Sequence, residues 1–187
     1  MGLAGALAAA ILLTGFSGCA AGWRAGGGPV VDSEGRAGLI GGGAMAIGLK
    51  LTREQGLLEV IEGGAGPSLN PAEGLLTAGL GIDWLHQELF GEKIGLRAGV
   101  RVRYLGRLGT DGFSEHLGAG GGALGLLFVL GHNYDRGHEK MGGGGNAWRN
   151  LSVEVQGLFG EMFDPDRKLG LFLVTVSYEV NSLFEFF

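Results

Sequence analysis

Arginine and carboxylate side chains at alternating positions are the groups of this sequence best placed to do chemistry. Between Ile94 and Leu105 three arginines occupy odd-numbered positions, while apolar residues fill the even-numbered ones. Acidic residues stand at comparable positions in other segments. The six candidates are Asp83, Arg97, Arg101, Arg103, Glu154 and Glu179. Such groups can neutralise each other in an enclosed network, or they can line a path or site for an anion. The choice depends on the elements that hold them.

A second polar group lies in the segment HNYDRGHE and carries donor atoms suited to a metal ion. Imidazole and carboxylate groups are common metal ligands. The candidates are His132, Asp135, His138 and Glu139. Their spacing matches no established ligand pattern, and the glycines at 142–145 are typical of a solvated, flexible loop. We therefore predict no metal site and no cofactor, with these four residues as the alternative metal ligands.

Hydrolytic chemistry would need a nucleophile, a base and an acid close together, and Ser114, Glu115 and His116 come nearest to such a set. We expect them in a loop over 106–116, where neighbours on an extended chain face opposite ways. The glycine-rich run at 118–122 lacks the Lys-Ser/Thr of a phosphate-binding loop, which excludes nucleotide binding. We predict a non-enzymatic protein, with an outer-membrane lipid-modifying enzyme, a lipid hydrolase or acyltransferase, as an alternative.

The candidate residues lie in a chain of apolar segments separated by polar turn residues. The eight predicted strands are Gly22–Val31, Ala37–Leu51, Gly56–Gly66, Leu75–Leu85, Ile94–Leu105, Leu117–Leu130, Leu151–Met162 and Leu169–Phe184. The breaks contain the Gly, Asp, Asn and Pro residues that favour turns. Because no segment of helical period separates the strands, the pattern indicates antiparallel hairpins.

Period-two alternation decides which way the strands face. The segments that contain Asp83, Arg97, Glu154 and Glu179 alternate cleanly, so each has one apolar and one polar face. The polar face is rich in glycine and balanced in charge, as an enclosed interior requires. The apolar face carries aromatic residues near strand ends, which suits a membrane interface. They are Trp84, Tyr104, Phe159 and Phe172.

This pattern predicts a barrel with apolar side chains toward lipid and an interior plugged by the arginine and acid network. An eight-stranded barrel is only wide enough for its own side chains, so we favour the network over an anion path. The segments Gly56–Gly66 and Leu117–Leu130 alternate poorly, which we interpret as mixed burial. The alternative is a soluble, lipid-tethered barrel that binds an apolar ligand inside.

Composition limits the partners. The net charge is −5 and no basic block is present, so nucleic acid is excluded. The 41 glycines are interleaved with apolar residues, which fits strands that curve sharply or approach closely. The expected partners are membrane lipid and other components of the cell envelope or surface.

The N-terminal segment resembles a bacterial signal peptide. An apolar core at 7–13 is too short to span a membrane, and Phe16-Ser17-Gly18-Cys19 resembles a lipobox, in which the cysteine is acylated and becomes the mature N-terminus. The resemblance implies a signal peptide at 1–18, lipidation of Cys19 and a barrel domain at 19–187. The alternative is ordinary cleavage after Ala20 or Ala21.

Taken over residues 22–187, the chain resembles the small eight-stranded outer-membrane β-barrel proteins of bacteria, and its terminal Phe187 resembles their C-terminal assembly signal. This implies an all-β, antiparallel, up-and-down transmembrane barrel of about eight strands in the bacterial outer membrane. We expect a structural or surface-interaction role. The segment 132–150 is long for a connection on the side of the chain ends.

Overall fold

The computed structural model describes residues 18–70, 72–135, 145–163 and 166–185, and all of these ranges are dominated by β-strands. The strands are β1 Gly18–Asp32, β2 Ala37–Lys50, β3 Gln55–Leu69, β4 Ala72–His86, β5 Ile94–Gly109, β6 Gly112–Asp135, β7 Gly145–Phe163 and β8 Asp166–Glu185. Over these ranges the chain forms no helix long and apolar enough to cross a bilayer.

The eight strands close into one antiparallel barrel. Each strand pairs with its sequence neighbour, and β1 pairs with β8 to complete the circle. If the paired residues are followed from strand to strand around the barrel, the path that begins at Arg149 of β7 returns to β7 at Phe159, ten residues further along. The successive paired residues are Arg149, Val180, Trp23, Met45, Ile61, Leu80, Val102, Gly120 and Phe159. This offset means that the strands are inclined to the barrel axis, as closure of a barrel requires.

The two ends of the barrel differ in the length of their connections. One end, which we call the turn end, joins strands through positions 33–36, 70–71, 110–111 and 164–165. The other, the terminal end, carries Gly18 and Glu185, the first and last described residues, and the connections at 51–54, 87–93 and 136–144. Tight turns need special backbone geometry, and Gly35 and Gly112 adopt φ of +79° and +117° there.

The outer face of the barrel is apolar. Met45, Val102 and Phe159 are 72%, 68% and 78% exposed, and neighbouring outward positions carry further large apolar side chains. The interior holds two apolar clusters. One, toward the turn end, includes Leu75, Leu105, Leu158 and Leu173. The other, toward the terminal end, includes Leu58, Leu85, Trp148 and Leu183.

The predicted all-β, antiparallel, up-and-down barrel of eight strands is confirmed. Strand boundaries differ at several ends. β1 begins at Gly18 rather than Gly22, and β6 and β7 continue into the segment 132–150 as far as Asp135 and from Gly145. Ten of the 19 residues of this segment therefore lie in strands. Residues 1–17, which carry most of the predicted signal peptide, and the final residue Phe187 lie outside the described residues.

The prediction of a loop over 106–116 is wrong. β5 runs to Gly109 and β6 begins at Gly112, so only two residues connect them. The register shifts at Arg107 and Leu108, which marks a β-bulge. A bulge adds a residue without ending the ladder, so polar Ser114, Glu115 and His116 remain inside a strand.

The two segments that alternate poorly in sequence do alternate in the structure. In β6, Leu117, Ala119 and Leu127 are buried, while Leu124 and Leu126 are exposed. Both faces are apolar because the inward side borders the two apolar clusters, whereas the outward side forms the barrel surface. The pattern of hydrophobicity is therefore blurred although the geometry is regular.

Candidate functional site

Eight ionisable side chains fill the middle of the barrel, between the two apolar clusters. We call them the central charge layer. They are Arg24, Glu62, Asp83, Arg97, Arg101, Arg103, Glu154 and Glu179. Along β7 the chain passes from buried Trp148 through Glu154 to buried Leu158, and β1, β4 and β8 show the same order of apolar and charged positions.

Strand parity places these groups inside. On β5 the odd positions face inward, so Arg97, Arg101 and Arg103 all enter the barrel while Val100 and Val102 face outward. All three guanidinium groups are buried, and Arg101 is only 1% exposed. Charged groups this deeply buried require ionic partners.

Asp83 and Glu179 meet two of these arginines. Arg101 binds Asp83 with both terminal nitrogens, at 2.5 Å to Oδ1 and 2.8 Å to Oδ2. Arg97 donates from Nη2 to Glu179 Oε2 at 2.7 Å, and its Nε lies 3.3 Å from Asp83 Oδ2. Asp83 thus joins Arg97 and Arg101 into one chain of contacts. Bidentate pairing also fixes the guanidinium plane.

Arg24 connects the other half of the layer. Its Nη1 donates to Glu154 Oε2 at 2.7 Å and its Nη2 donates to Glu62 Oε2 at 2.8 Å. Glu62 also accepts from Arg103 Nη2. Glu154 Oε2 lies 3.6 Å from both Arg97 and Arg101, which links the two halves. The eight groups therefore form one continuous set of contacts.

Neutral side chains complete the coordination of the carboxylates. Gln156 donates from Nε2 to Glu154 Oε1 at 2.7 Å, and Asn181 donates from Nδ2 to Glu179 Oε1 at 2.8 Å. Thr77 accepts from Arg103 Nη1 at 3.2 Å and donates its own proton to the Tyr104 carbonyl at 2.9 Å. Glu154 and Glu179 therefore accept hydrogen bonds from neutral amide groups as well as from arginines.

The six sequence candidates all face the interior, but Arg24 and Glu62 were missed. Arg24 precedes the glycine run at 26–28, which hides alternation in β1, and Glu62 lies in poorly alternating β3. A count of charges does not reveal them, because the three arginines and three acids predicted from the sequence already balance. These two residues extend the balance to four guanidinium groups and four carboxylates.

Glycines on the inner face make room for this layer. A Cβ added at Gly99 would contact the Asp83 carboxylate and the Arg101 guanidinium, and one at Gly81 would also contact Arg101. Large side chains on β5 are thus accommodated because their neighbours have none. This explains part of the high glycine content.

A second ionic cluster closes the interior at the turn end. Arg36 donates from Nε to Asp32 Oδ2 and from Nη1 to Glu115 Oε2, both at 2.7 Å. Arg107 lies 3.3 Å from Asp32 and donates to Ser68 Oγ at 2.7 Å. Partial burial lowers the pKa of Arg36, but its hydrogen bonds to Asp32 and Glu115 outweigh this and the pKa lies above its ordinary value.

At the terminal end, His132 is the one alternative metal ligand whose side chain is in the described part of the chain. No group of three or more potential ligand residues is found there. His132 stacks on Trp148 with ring centroids 4.7 Å apart, and its Nε2 lies 3.0 Å from Asn146 Oδ1. Glu88 accepts from Trp148 Nε1 at 2.9 Å. The Asp135 side chain, His138 and Glu139 lie outside the described residues.

Ser114 and His116 have separate partners. The Ser114 hydroxyl lies 3.2 Å from Glu73 Oε1, while His116 Nδ1 lies 2.5 Å from the Tyr104 hydroxyl. The imidazole also contacts the Phe113 ring, at a centroid distance of 5.2 Å. A nucleophile and its base would need a mutual hydrogen bond. The described contacts instead place His116 in an aromatic group on the barrel wall.

Comparisons with known proteins show a structural likeness but no sequence relationship. No family model and no curated protein sequence matches the chain. Among solved structures, the fold is similar to that of Neisserial surface protein A (NspA), with a TM-score of 0.54 and 12% sequence identity. The likeness covers 88% of this chain and 96% of that chain. At this identity it shows the barrel fold alone.

Proposed function

We propose that this chain is a non-enzymatic barrel protein of the bacterial outer membrane, with a structural or surface-interaction role. The observation that carries the proposal is the reversed polarity of the barrel. Large apolar side chains cover the outside, and the central charge layer is enclosed. An outward apolar band around a polar interior is the arrangement expected of a barrel surrounded by lipid.

The likeness to NspA, a surface protein by its name, supports a location in the outer membrane. The two alternatives fit less well. An interior of four guanidinium groups and four carboxylates is unsuited to an apolar ligand. The enzyme alternative rested on Ser114 and His116, whose hydrogen bonds go to Glu73 and Tyr104 instead.

We propose further that the central charge layer plugs the barrel. Eight strands enclose little more than their own side chains, and apolar clusters lie on both sides of the layer. Such a barrel offers no wide path for an anion. The charge layer is on this view a structural element that fills and fixes the interior.

Lipidation of Cys19 is also proposed. The Cys19 side chain is half-exposed near the start of β1, beside outward-facing Ile47, Leu49 and Leu57. Acyl chains attached there would leave the barrel on its apolar outer side. We infer that this anchor enters the same membrane as the barrel.

The test separates a spanning barrel from a tethered soluble one. The full chain and a Cys19→Ser variant are expressed with export, and membranes are extracted with buffer and then with detergent. We expect both forms to require detergent and to migrate differently on a gel before and after heating. Radiolabelled palmitate should enter the parent but not Cys19→Ser. Release of Cys19→Ser into buffer would contradict the membrane barrel, whereas equal labelling of both forms would contradict only the lipid site.

A further inference from the structure

Two buried polar atoms that line one cavity beside the central charge layer have no hydrogen-bond partner among the described residues. One is Oε1 of Gln156, whose side-chain nitrogen is already bound to Glu154. The other is Nε of Arg103, whose terminal nitrogens bind Glu62 and Thr77. Both side chains are more than nine-tenths buried. Buried polar groups in folded proteins are almost always paired with protein or with ordered water.

Both residues line the same cavity. It has a volume of about 50 Å³ and lies beside Arg24 and Glu62, against the walls of β1 and β2. The inward positions of this wall include Gly26, Gly42 and Ala44, which have little or no side chain to fill the space. One water needs about 10–15 Å³ of such space, so the cavity has room for roughly three to five.

The polar groups that line the cavity determine what can bind in it. The unsatisfied groups are one acceptor, the Gln156 oxygen, and one donor, the Arg103 nitrogen. The charges around them are balanced, since each guanidinium group of the layer is matched by a carboxylate. A bound ion of either sign would break that balance, and an apolar guest would leave both groups unpaired. A water molecule both donates and accepts, so it can serve each of them.

We propose that this cavity is a built binding site for a small cluster of ordered water that completes the hydrogen bonding of Gln156 and Arg103. The charge layer is then a hydrated structure rather than a dry one. The proposal does not depend on which envelope role the barrel has, because it rests on the interior geometry alone.

A crystal structure of the full chain in detergent, at a resolution that shows water, tests the site directly. We expect ordered water within hydrogen-bond distance of Gln156 Oε1 and of Arg103 Nε. Data from a crystal soaked in bromide should show no anomalous peak in the cavity. An empty cavity, or a bromide peak there, would overturn the proposal.

A variant of Gln156 tests whether this residue holds the water. Gln156→Met keeps the length of the side chain but removes the carbonyl oxygen. We expect the water bound to that oxygen to be lost while the water at Arg103 remains. Unchanged water positions in Gln156→Met would show that Gln156 does not hold the cluster. Because the parent structure is decisive by itself, poor folding of the variant leaves the test intact.

Discussion

Single residues of the charge layer are stabilised by their opposite charges, because each would otherwise be an ion in a medium of low polarity. Arg101 illustrates this. Its guanidinium binds Asp83 with two nitrogens and lies 3.6 Å from Glu154. Removing one member of a buried pair leaves the other uncompensated, which is generally more harmful than replacing both.

We therefore expect Arg101→Leu to lower the free energy of unfolding by about 3–5 kcal/mol. The thermal unfolding temperature in detergent should fall as a result. The matched control is Arg149→Leu, since Arg149 is exposed on the outer side of β7. The double variant Arg101→Leu, Asp83→Leu should recover part of the loss. Equal melting of Arg101→Leu and the parent would show that this guanidinium lies in water.

Glycine at position 99 is required by the side chains beside it. An added methyl group would contact Asp83 and Arg101, so Gly99→Ala should destabilise the barrel by about 1–3 kcal/mol through overpacking. Gly157 provides the control, because a Cβ there would meet nothing within 4 Å. Unfolding of Gly157→Ala should match the parent. If both variants melt alike, the inner face has more room than the contacts indicate.

At the scale of elements, the sequence predicts strands well where one face is apolar and the other polar. β5 and β8 show this, and their candidate residues Arg97 and Glu179 bind each other in the structure. Prediction was weaker where both faces are small or apolar. β1 is rich in glycine and β6 is apolar on both faces, so inward and outward positions of these strands do not differ in polarity. The period-two pattern depends on that difference. Bulges add to the difficulty, because β5 and β6 shift register near Arg107 without any residue signal.

The turn between β1 and β2 depends on one carboxylate. Asp32 Oδ1 accepts the backbone N–H groups of Glu34 at 3.0 Å and Arg36 at 2.9 Å, while Oδ2 binds the Arg36 side chain. We expect Asp32→Ala to lower stability by about 1–3 kcal/mol, since these donors lose their acceptor. Hydrogen exchange at the Glu34 and Arg36 amides should accelerate. Exchange should stay unchanged in Asp111→Ala, at another exposed turn, and unchanged rates in both variants would refute this role for Asp32.

For the whole molecule, the arrangement of the eight strands has two consequences. Closure leaves no unpaired strand edge around the circle, and parity sends apolar groups outward and ions inward. The fold and its overall polarity were predictable because they repeat along the chain. The pairing of particular ions was not, since it depends on the ten-residue offset around the barrel, which no local pattern encodes.

The most direct test of the central claim measures what surrounds the outer face. A spin label is placed through Val102→Cys in a Cys19→Ser background, and the protein is refolded into lipid vesicles. Val102 is 68% exposed in mid-strand, whereas the control site, Asp111→Cys, lies in a turn. We predict that the Val102 label collides mainly with oxygen dissolved in lipid, and the Asp111 label with a water-soluble nickel complex. Collision of the Val102 label with the nickel complex would contradict the account.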